Sequence, residues 1–428
     1  PAGNTPPPEL TGSLGEFQLQ TSDPAAPARY DLVLDLGIPS LMRMAQPPLG
    51  YRAPGVDSGA VVDALDELGE MIGRFEKPQF FGYDPSICAH GSSGIQGCTR
   101  CIDSCPTQAI ISIGEKVEVN PKLCQGGGIC AAVCPSGAMT YRYPAAKDSL
   151  AKMRILLQTF RNAGGTDPVV ILHALAQTPG DLADNELPFA LEELASAGVE
   201  LWLSTLCYGA AAVRLHADPQ TNAAIRQDLK QQITLCNEML HGLGYPPAVD
   251  WQHADAANQE HSMPALKPAA YASGQDKRQT LFLALNHLSG QAQTPIRPHP
   301  LPAGSPLGRV QVDKEACTLC LACTSVCPTK ALADGGNQEP MLRFFEANCV
   351  QCGICTQACP EQAIRLEPRV LYDPEIRRQP LTLNQDEPFA CVSCGKPFAT
   401  QSVIRKMQTA LAGHAMFQDD AAKQRLLM

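Results

Sequence analysis

Two runs, "CTLCLACTSVCP" and "CVQCGICTQACP", most constrain what this chain can fold into. They place Cys317, Cys320, Cys323 and Cys327, then Cys349, Cys352, Cys355 and Cys359, at a Cys-x-x-Cys-x-x-Cys-x-x-x-Cys-Pro spacing. A cubane cluster needs four soft thiolates converging on one point. In a two-cluster arrangement, three come from one tight loop and the fourth crosses from the partner run. The spacing therefore predicts one [4Fe–4S] cluster on Cys317, Cys320, Cys323 and Cys359. A second would sit on Cys349, Cys352, Cys355 and Cys327. Zinc alone takes four ligands per site and would leave the paired prolines unexplained.

A first block, residues 88–134, follows the same plan with two alterations. Cys105, Cys101 and Cys98 are in register, but the next ligand position upstream holds Ile95, and Cys88 lies beyond "AHGSSGIQG". An inserted loop explains this, giving a complete set of Cys88, Cys98, Cys101 and Cys134 for a third [4Fe–4S] cluster, with His90 as the substitute candidate. In "LCQGGGICAAVCP" the remaining set is Cys105, Cys124 and Cys130, and Gly127 stands where a fourth thiol belongs. Three thiolates suit a [3Fe–4S] cluster or an incompletely ligated [4Fe–4S] cluster; an empty half held by packing alone is the alternative.

The distribution of the nineteen cysteines supports metal binding over disulfides. Seven lie in 88–134 and ten in 317–394, in Cys-x-x-Cys groups typical of a reducing compartment. Cys207 and Cys236 are isolated and read as buried structural residues. A net charge of −10 without a basic block argues against nucleic acid. No apolar run reaches the roughly 18 residues of a membrane span, and no signal peptide is visible, so a cytoplasmic location is expected.

The expected fold class is a multidomain mixture of α+β and α/β. Two ferredoxin-like dicluster modules flank a small parallel-sheet α/β domain, with a zinc-ribbon-like knuckle at the C-terminus. The boundaries are a linker over 1–29, a strand–helix segment over 30–80, the first module over 81–145, the α/β domain over 150–250, a connector over 251–308, the second module over 309–370, and the knuckle with a helix over 385–428. "YDLVLDL" (30–36) reads as a buried strand. A helix over 58–75 has Ser58 as cap and apolar spacing at Val61, Val62, Leu65, Leu68 and Ile72. Within the α/β domain, "DPVVILHAL" and "VELWLSTL" read as strands, "LPFALEELASAG" and "TNAAIRQDLKQQITLCNEMLHGLG" as helices. The connector runs around one short helix; "TLFLALNHL" (280–288) is the longest candidate for a membrane span and is far too short.

"CVSCGKPF" offers Cys391 and Cys394, half of a zinc site. His414 could add one ligand, and the missing pair is expected beyond Met428, in a chain cut at both ends relative to its gene product. No Gly-x-Gly-x-x-Gly follows a strand and no Cys-x-x-x-Cys-x-x-Cys run is present, so nucleotide and radical chemistry have no support.

The stretches "YDLVLDL", "QPPLGY", "FEKPQFFGYDPSICAHGSSGIQGCTRCIDSCPTQAI", "STLCYGAAAVRL" and "FACVSCGKPFAT" resemble those of proteobacterial cytoplasmic 4Fe–4S binding proteins that accompany formate dehydrogenases. The middle domain is more weakly similar to the delta-subunit domain of methyl-viologen-reducing hydrogenases, without that domain's cysteine cluster. The resemblance implies single-electron transfer through about four clusters, with a formate dehydrogenase-type oxidoreductase as redox partner. Two alternatives compete with it. One is a cluster-delivery or maturation factor for a dehydrogenase; the other is an enzyme using the iron at the Gly127 corner as a Lewis acid. The middle domain would serve as a spacer or docking surface.

Overall fold

Short alternating stretches already build structure at the N-terminus of the computed structural model, which describes residues 8–20, 28–218, 221–252, 262–336, 339–417, 419–425 and 427–428. Strands β1 (Glu9–Thr11), β2 (Phe17–Gln20) and β3 (Ala28–Tyr30) form an antiparallel sheet with β2 at its centre. The linker expected over 1–29 is corrected over these strands. "FQLQ" alternates apolar and polar residues, and Phe17 is buried against Leu10, Met42 and Tyr51. "YDLVLDL" does not form one buried strand. Tyr30 ends the exposed β3, and the short β4 (Val33–Leu34) is half-buried and parallel to β5 (Tyr51–Arg52). The chain turns away at Asp35, whose carboxylate accepts from the Gly37 and Leu41 amides and the Tyr51 hydroxyl at 2.8, 2.7 and 2.5 Å. Helix α1 (Ser58–Gly69) is capped by Asp57, which accepts from the Ala60 amide at 2.9 Å, not by Ser58. Its buried residues are Ala64 and Leu68, while Val62 and Leu65 face solvent.

The first cysteine block folds as strand β6 (Phe81–Tyr83), the hairpin β7 (Gly91–Ser92) and β8 (Ile95–Gln96), and helix α2 (Arg100–Asp103). A second hairpin, β9 (Ile110–Ile113) and β10 (Lys116–Val119), leads to helix α3 (Ile129–Val133). Strand β11 (Met139–Tyr141) closes the unit by pairing antiparallel with β6.

Helix α4 (Ala146–Asn162) enters the largest apolar core of the described residues. Strands β12 (Val169–Ala174) and β13 (Glu186–Leu191), helix α5 (Val199–Cys207), strand β14 (Ala212–His216), helix α6 (Ala223–His241) and strand β15 (Val249–Trp251) follow. The four strands are all parallel, in the order β13-β12-β14-β15. Two assignments reverse the sequence reading. "VELWLSTL" is helix α5, buried at every position, because a continuous apolar run carries no period to separate strand from helix. "LPFAL" is β13, and its Pro188 is tolerated because β13 is a sheet edge. Cys207 and Cys236 are both fully buried in this core.

The segment read as a connector is also corrected. Helix α7 (Lys277–Ser289) packs Leu281, Ala284, Leu285 and Leu288 into the same core, and the Cys207 thiol lies 3.5 Å from the Ala284 carbonyl. Strands β16 (His299–Pro300) and β17 (Gly308–Val312) then lead into helix α8 (Ala322–Ser325), strands β18 (Leu332–Asp334) and β19 (Met341–Phe344), helix α9 (Ile354–Ala358) and strand β20 (Ile364–Val370). Strand β20 pairs antiparallel with both β16 and β17. After helix α10 (Pro374–Arg378), strand β21 (Leu381–Gln385) joins β19. The tail forms the hairpin β22 (Pro388–Ala390) and β23 (Pro397–Thr400) and helix α11 (Gln401–Leu411). No helix among the described residues is long and apolar enough to cross a membrane.

Candidate metal centres

Two small cavities, each of about 20 Å³, are lined by crossed sets of four cysteines. One holds Cys317, Cys320, Cys323 and Cys359; the other Cys88, Cys98, Cys101 and Cys134. The thiols in each set are close enough to perturb one another. Burial, then repulsion from Cys317, Cys320 and Cys359, pushes Cys323 up to about 12. Burial and then Cys134, Cys98, Cys130 and Cys88 raise Cys101. Cys355 is raised by burial and then by Cys349, Cys352, Cys327 and Cys323, which gathers the third conventional set and places it beside Cys323. Without a metal, burial and mutual repulsion disfavour the thiolate form of these groups. A cationic metal centre that binds them as thiolates relieves both the repulsion and the desolvation, so these residues fit the group that the spacing implies.

The Cys-Pro ends show how sequence aims the donors. Three residues after Cys105, Cys327 and Cys359 stand Gln108, Lys330 and Gln362 with φ of 51, 53 and 49°; after Cys134 the position is Gly137, with φ 79°. Proline followed by a left-handed turn bends the chain back over its own sulfur. The Ala331 amide then donates to Cys327 Sγ at 3.2 Å, Ala363 to Cys359 at 3.4 Å, and Met139 to Cys134 at 3.3 Å. Hydroxyls of Thr107, Ser136 and Thr329 lie 3.4, 3.8 and 3.8 Å from Cys105, Cys134 and Cys327. After Cys359 that place belongs to Glu361, which pairs with Lys406 of α11 at 2.6 Å.

His90 is not free to ligate. Its Nδ1 contacts the Cys98 carbonyl at 2.8 Å and its Nε2 the Ser112 hydroxyl at 2.7 Å, so it pins the inserted hairpin in place.

The incomplete set is equally well formed. Cys130 is pushed up to about 12 by burial and then by Cys105, Cys124 and Cys134. Around it, Gly126 and Gly128 have φ of 81 and 76°. A Cβ at Gly126 would fall 2.8 Å from the Phe80 ring, and one at Gly128 would fall 2.6 Å from Ser196 Cα. Gly127 differs: its φ is not left-handed, and its Cβ would meet only Ile225 Cδ1, at 3.7 Å. In the second module the same turn runs Gln351, Cys352, Gly353, with φ of 55 and 84° at the outer positions. The backbone would thus accept a cysteine at 127, so the missing thiol is not imposed by the fold. Close by is the buried Tyr141, whose hydroxyl has no hydrogen-bond partner among the described residues. Burial raises its pKa, and Glu193, Glu192, Cys124 and Cys130 raise it further.

Two devices that the sequence did not reveal join the modules. The inserted hairpin touches α9: a Cβ at Gly97 would come within 2.6 Å of Ile354 Cγ1, and Gln357 donates to the Gln96 carbonyl at 2.9 Å. Gly97 precedes Cys98, and Ile354 precedes Cys355. The second device is the first turn of α7. Lys277 donates to the carbonyls of Ala131, at 2.6 Å, and Ala132 in the first module, backed by Glu200 at 3.6 Å. Its neighbour Arg278 donates to the carbonyls of Ala347 and Cys349 in the second, both at 2.6 Å. Burial pulls the Arg278 guanidinium down to about 10, and Phe282 lies between it and Arg377, 5.0 and 4.0 Å from the ring centre. No local motif marks this pair; only two adjacent cations at the head of an apolar helix hint at it.

At the tail, Cys391 is buried and Cys394 exposed. The Gly395 amide donates to the Cys391 carbonyl at 2.9 Å, and the Cys391 amide to the Lys396 carbonyl at 2.9 Å. Amides of Cys394 and then Ser393 hold the Cys391 thiol below its usual range. Among the described residues, His414 is not brought into a compact ligand group with this pair.

Comparison with known proteins agrees with the cysteine geometry. Residues 316–364 match the 4Fe-4S dicluster domain model and residues 117–140 match the 4Fe-4S binding domain model. The chain is 45% identical over 51 residues to the ferredoxin-type protein NapF of Escherichia coli strain K12, and equally to those of strains O6:H1 and O157:H7. That match covers 11% of this chain and 31% of each relative, so the chain spans about a third of the length of the curated relatives it matches. The chain therefore carries two ferredoxin-type iron–sulfur regions.

Proposed function

We propose that this chain is an electron-transfer protein whose two dicluster modules form one series of four redox sites. Bound iron–sulfur centres supply one-electron chemistry, with potentials set by charge, hydrogen bonds to sulfur and exposure. The carrying observation is the contact of the inserted hairpin with α9, which puts Cys98 and Cys355 at the joint between modules. The order of thiol sets is then Cys105/Cys124/Cys130, Cys88/Cys98/Cys101/Cys134, Cys327/Cys349/Cys352/Cys355, and Cys317/Cys320/Cys323/Cys359.

The chain's own residues supply placement and tuning. Lys277 and Arg278 hold the modules on α7, which makes the α/β domain a scaffold. The amides of Ala331, Ala363 and Met139 lower the electron density on their sulfurs. Cys320 is exposed, so the last site is open to a redox partner; a formate dehydrogenase-type oxidoreductase in the cytoplasm is the partner we propose. The Tyr141 hydroxyl is a donor available to the three-thiol site, which would take a [3Fe–4S] or incompletely ligated [4Fe–4S] centre beside three [4Fe–4S] centres. Cys391 and Cys394 would supply two ligands to zinc.

The test is stopped-flow bleaching of the anaerobic protein by formate and catalytic amounts of a formate dehydrogenase. Reduction of all centres within seconds is expected. Iron transfer to an apo-acceptor without reduction would replace this reading with a delivery role.

A further inference from the structure

Away from every cysteine, Glu238, His241 and His299 bring one carboxylate oxygen and two imidazole nitrogens within 4.8 Å of one another. Glu238 and His241 are one turn apart near the end of α6, and His299 comes from β16. We propose that these residues form a binding site for a divalent ion of the zinc class, at the joint between the α/β domain and the second module.

Three observations carry this. First, the donors have suitable separations: Glu238 Oε2 is 3.0 Å from His299 Nε2 and 4.0 Å from His241 Nδ1. Ligand atoms of a tetrahedral zinc lie about 3.3 Å apart, given metal–ligand bonds near 2.05 Å, and these distances bracket that value. The His241 side chain is 75% exposed and so can swing by the small amount required. Second, the donor set matches the metal. Two imidazoles and a carboxylate are a known three-ligand zinc set that leaves a fourth position to water. Third, the site lies at the C-terminal end of a 19-residue helix, the end at which the helix dipole favours a cation.

The close approach of the two elements is built in. A Cβ at Gly242 would fall 2.3 Å from the Tyr372 hydroxyl and 2.5 Å from His299 Cβ, and Tyr372 donates to the Met239 carbonyl at 2.7 Å. Because β16 pairs with β20, an ion on these three residues ties α6 to the second module's sheet. A bare Glu238–His299 hydrogen bond is the competing account of the same contact.

The test uses the full chain with its iron–sulfur centres, carrying Cys391→Ser and Cys394→Ser so that the knuckle takes no zinc. Equilibrium dialysis against zinc chloride, with metal analysis, should show one retained zinc per chain at micromolar concentration. Adding His241→Ala or Glu238→Gln should weaken retention at least tenfold, while iron content and visible absorption stay unchanged. His241 is exposed and Gln can still accept from His299, so neither variant threatens the fold. Retention indifferent to both variants, or no zinc retained at all, overturns the site in favour of the plain hydrogen bond.

Discussion

Replacing Gly127 with cysteine should complete the fourth corner of the three-thiol site at little cost to the fold. The backbone there needs no left-handed φ, and the new Cβ meets Ile225 Cδ1 at 3.7 Å, an ordinary contact. Giving a glycine a side chain at a compatible site typically stabilises by about 0.4–1 kcal/mol through lost unfolded-state freedom. The apo fold should therefore be neutral or slightly favoured before any metal is counted. Gly128→Cys is the contrasting control. It forces a left-handed residue, costing roughly 1–2 kcal/mol, and drives a Cβ to 2.6 Å from Ser196 Cα. The assay is iron analysis with low-temperature EPR of air-oxidised protein. Wild type should show the signal of an oxidised [3Fe–4S] centre; Gly127→Cys should lose it and gain one iron per chain, and Gly128→Cys should lose iron. Equal iron and an unchanged spectrum in Gly127→Cys would show that position 127 is not a ligand corner. An EPR-silent wild type with iron for three cubanes would show that this site is empty.

Arg278→Met leaves the part-buried carbonyls of Ala347 and Cys349 without this donor, and should destabilise the second module by about 1–3 kcal/mol; urea-induced bleaching of its centres should come earlier, and an unchanged midpoint would remove Arg278 as a clamp. Gly97→Val, with Ile354 Cγ1 in the way at 2.6 Å, should part the hairpin from α9 and slow electron exchange between modules at constant iron content. Rapid-freeze EPR after a reductant pulse measures this, and an unaltered rate would place the joint elsewhere. Glu361→Thr adds a hydroxyl where Thr107, Ser136 and Thr329 have theirs and removes a negative charge, so the Cys317 set should become easier to reduce. The partner variant Lys406→Ala, which leaves that carboxylate unpaired, should shift it the other way; potentiometric EPR titration with no shift in either would count against this tuning.

Cysteine spacing was the legible part of the sequence because three donors of each set come from one short loop and the fourth from the paired run. In the altered block the insertion between Cys88 and Cys98 leaves the rest of the register intact, and the two cysteines line one pocket with Cys101 and Cys134. The secondary structure of the middle domain was less legible. Helix α5 is buried all round, which erases the amphipathic period, and β13 ends on the first two residues of the helix-favouring run "ALEEL", Ala190 and Leu191, which pair with β12. The strands at the N-terminus are three or four residues long, too short for alternation to register. Least legible were Lys277 and Arg278, whose carbonyl partners at Ala131 and Cys349 lie 146 and 71 positions away.

The grip of α7 also bears on tolerance to sequence change. Cys98 and Cys355 are joined along the chain by a path that runs through the whole α/β domain, and slack in any loop could accumulate over it. With both modules fastened to consecutive residues of one helix, the reference between them shrinks to a single peptide step. Loops such as the one between β12 and β13 can then lengthen or shorten without altering the gap between redox sites. A substitution within the first turn of α7 moves both modules at once.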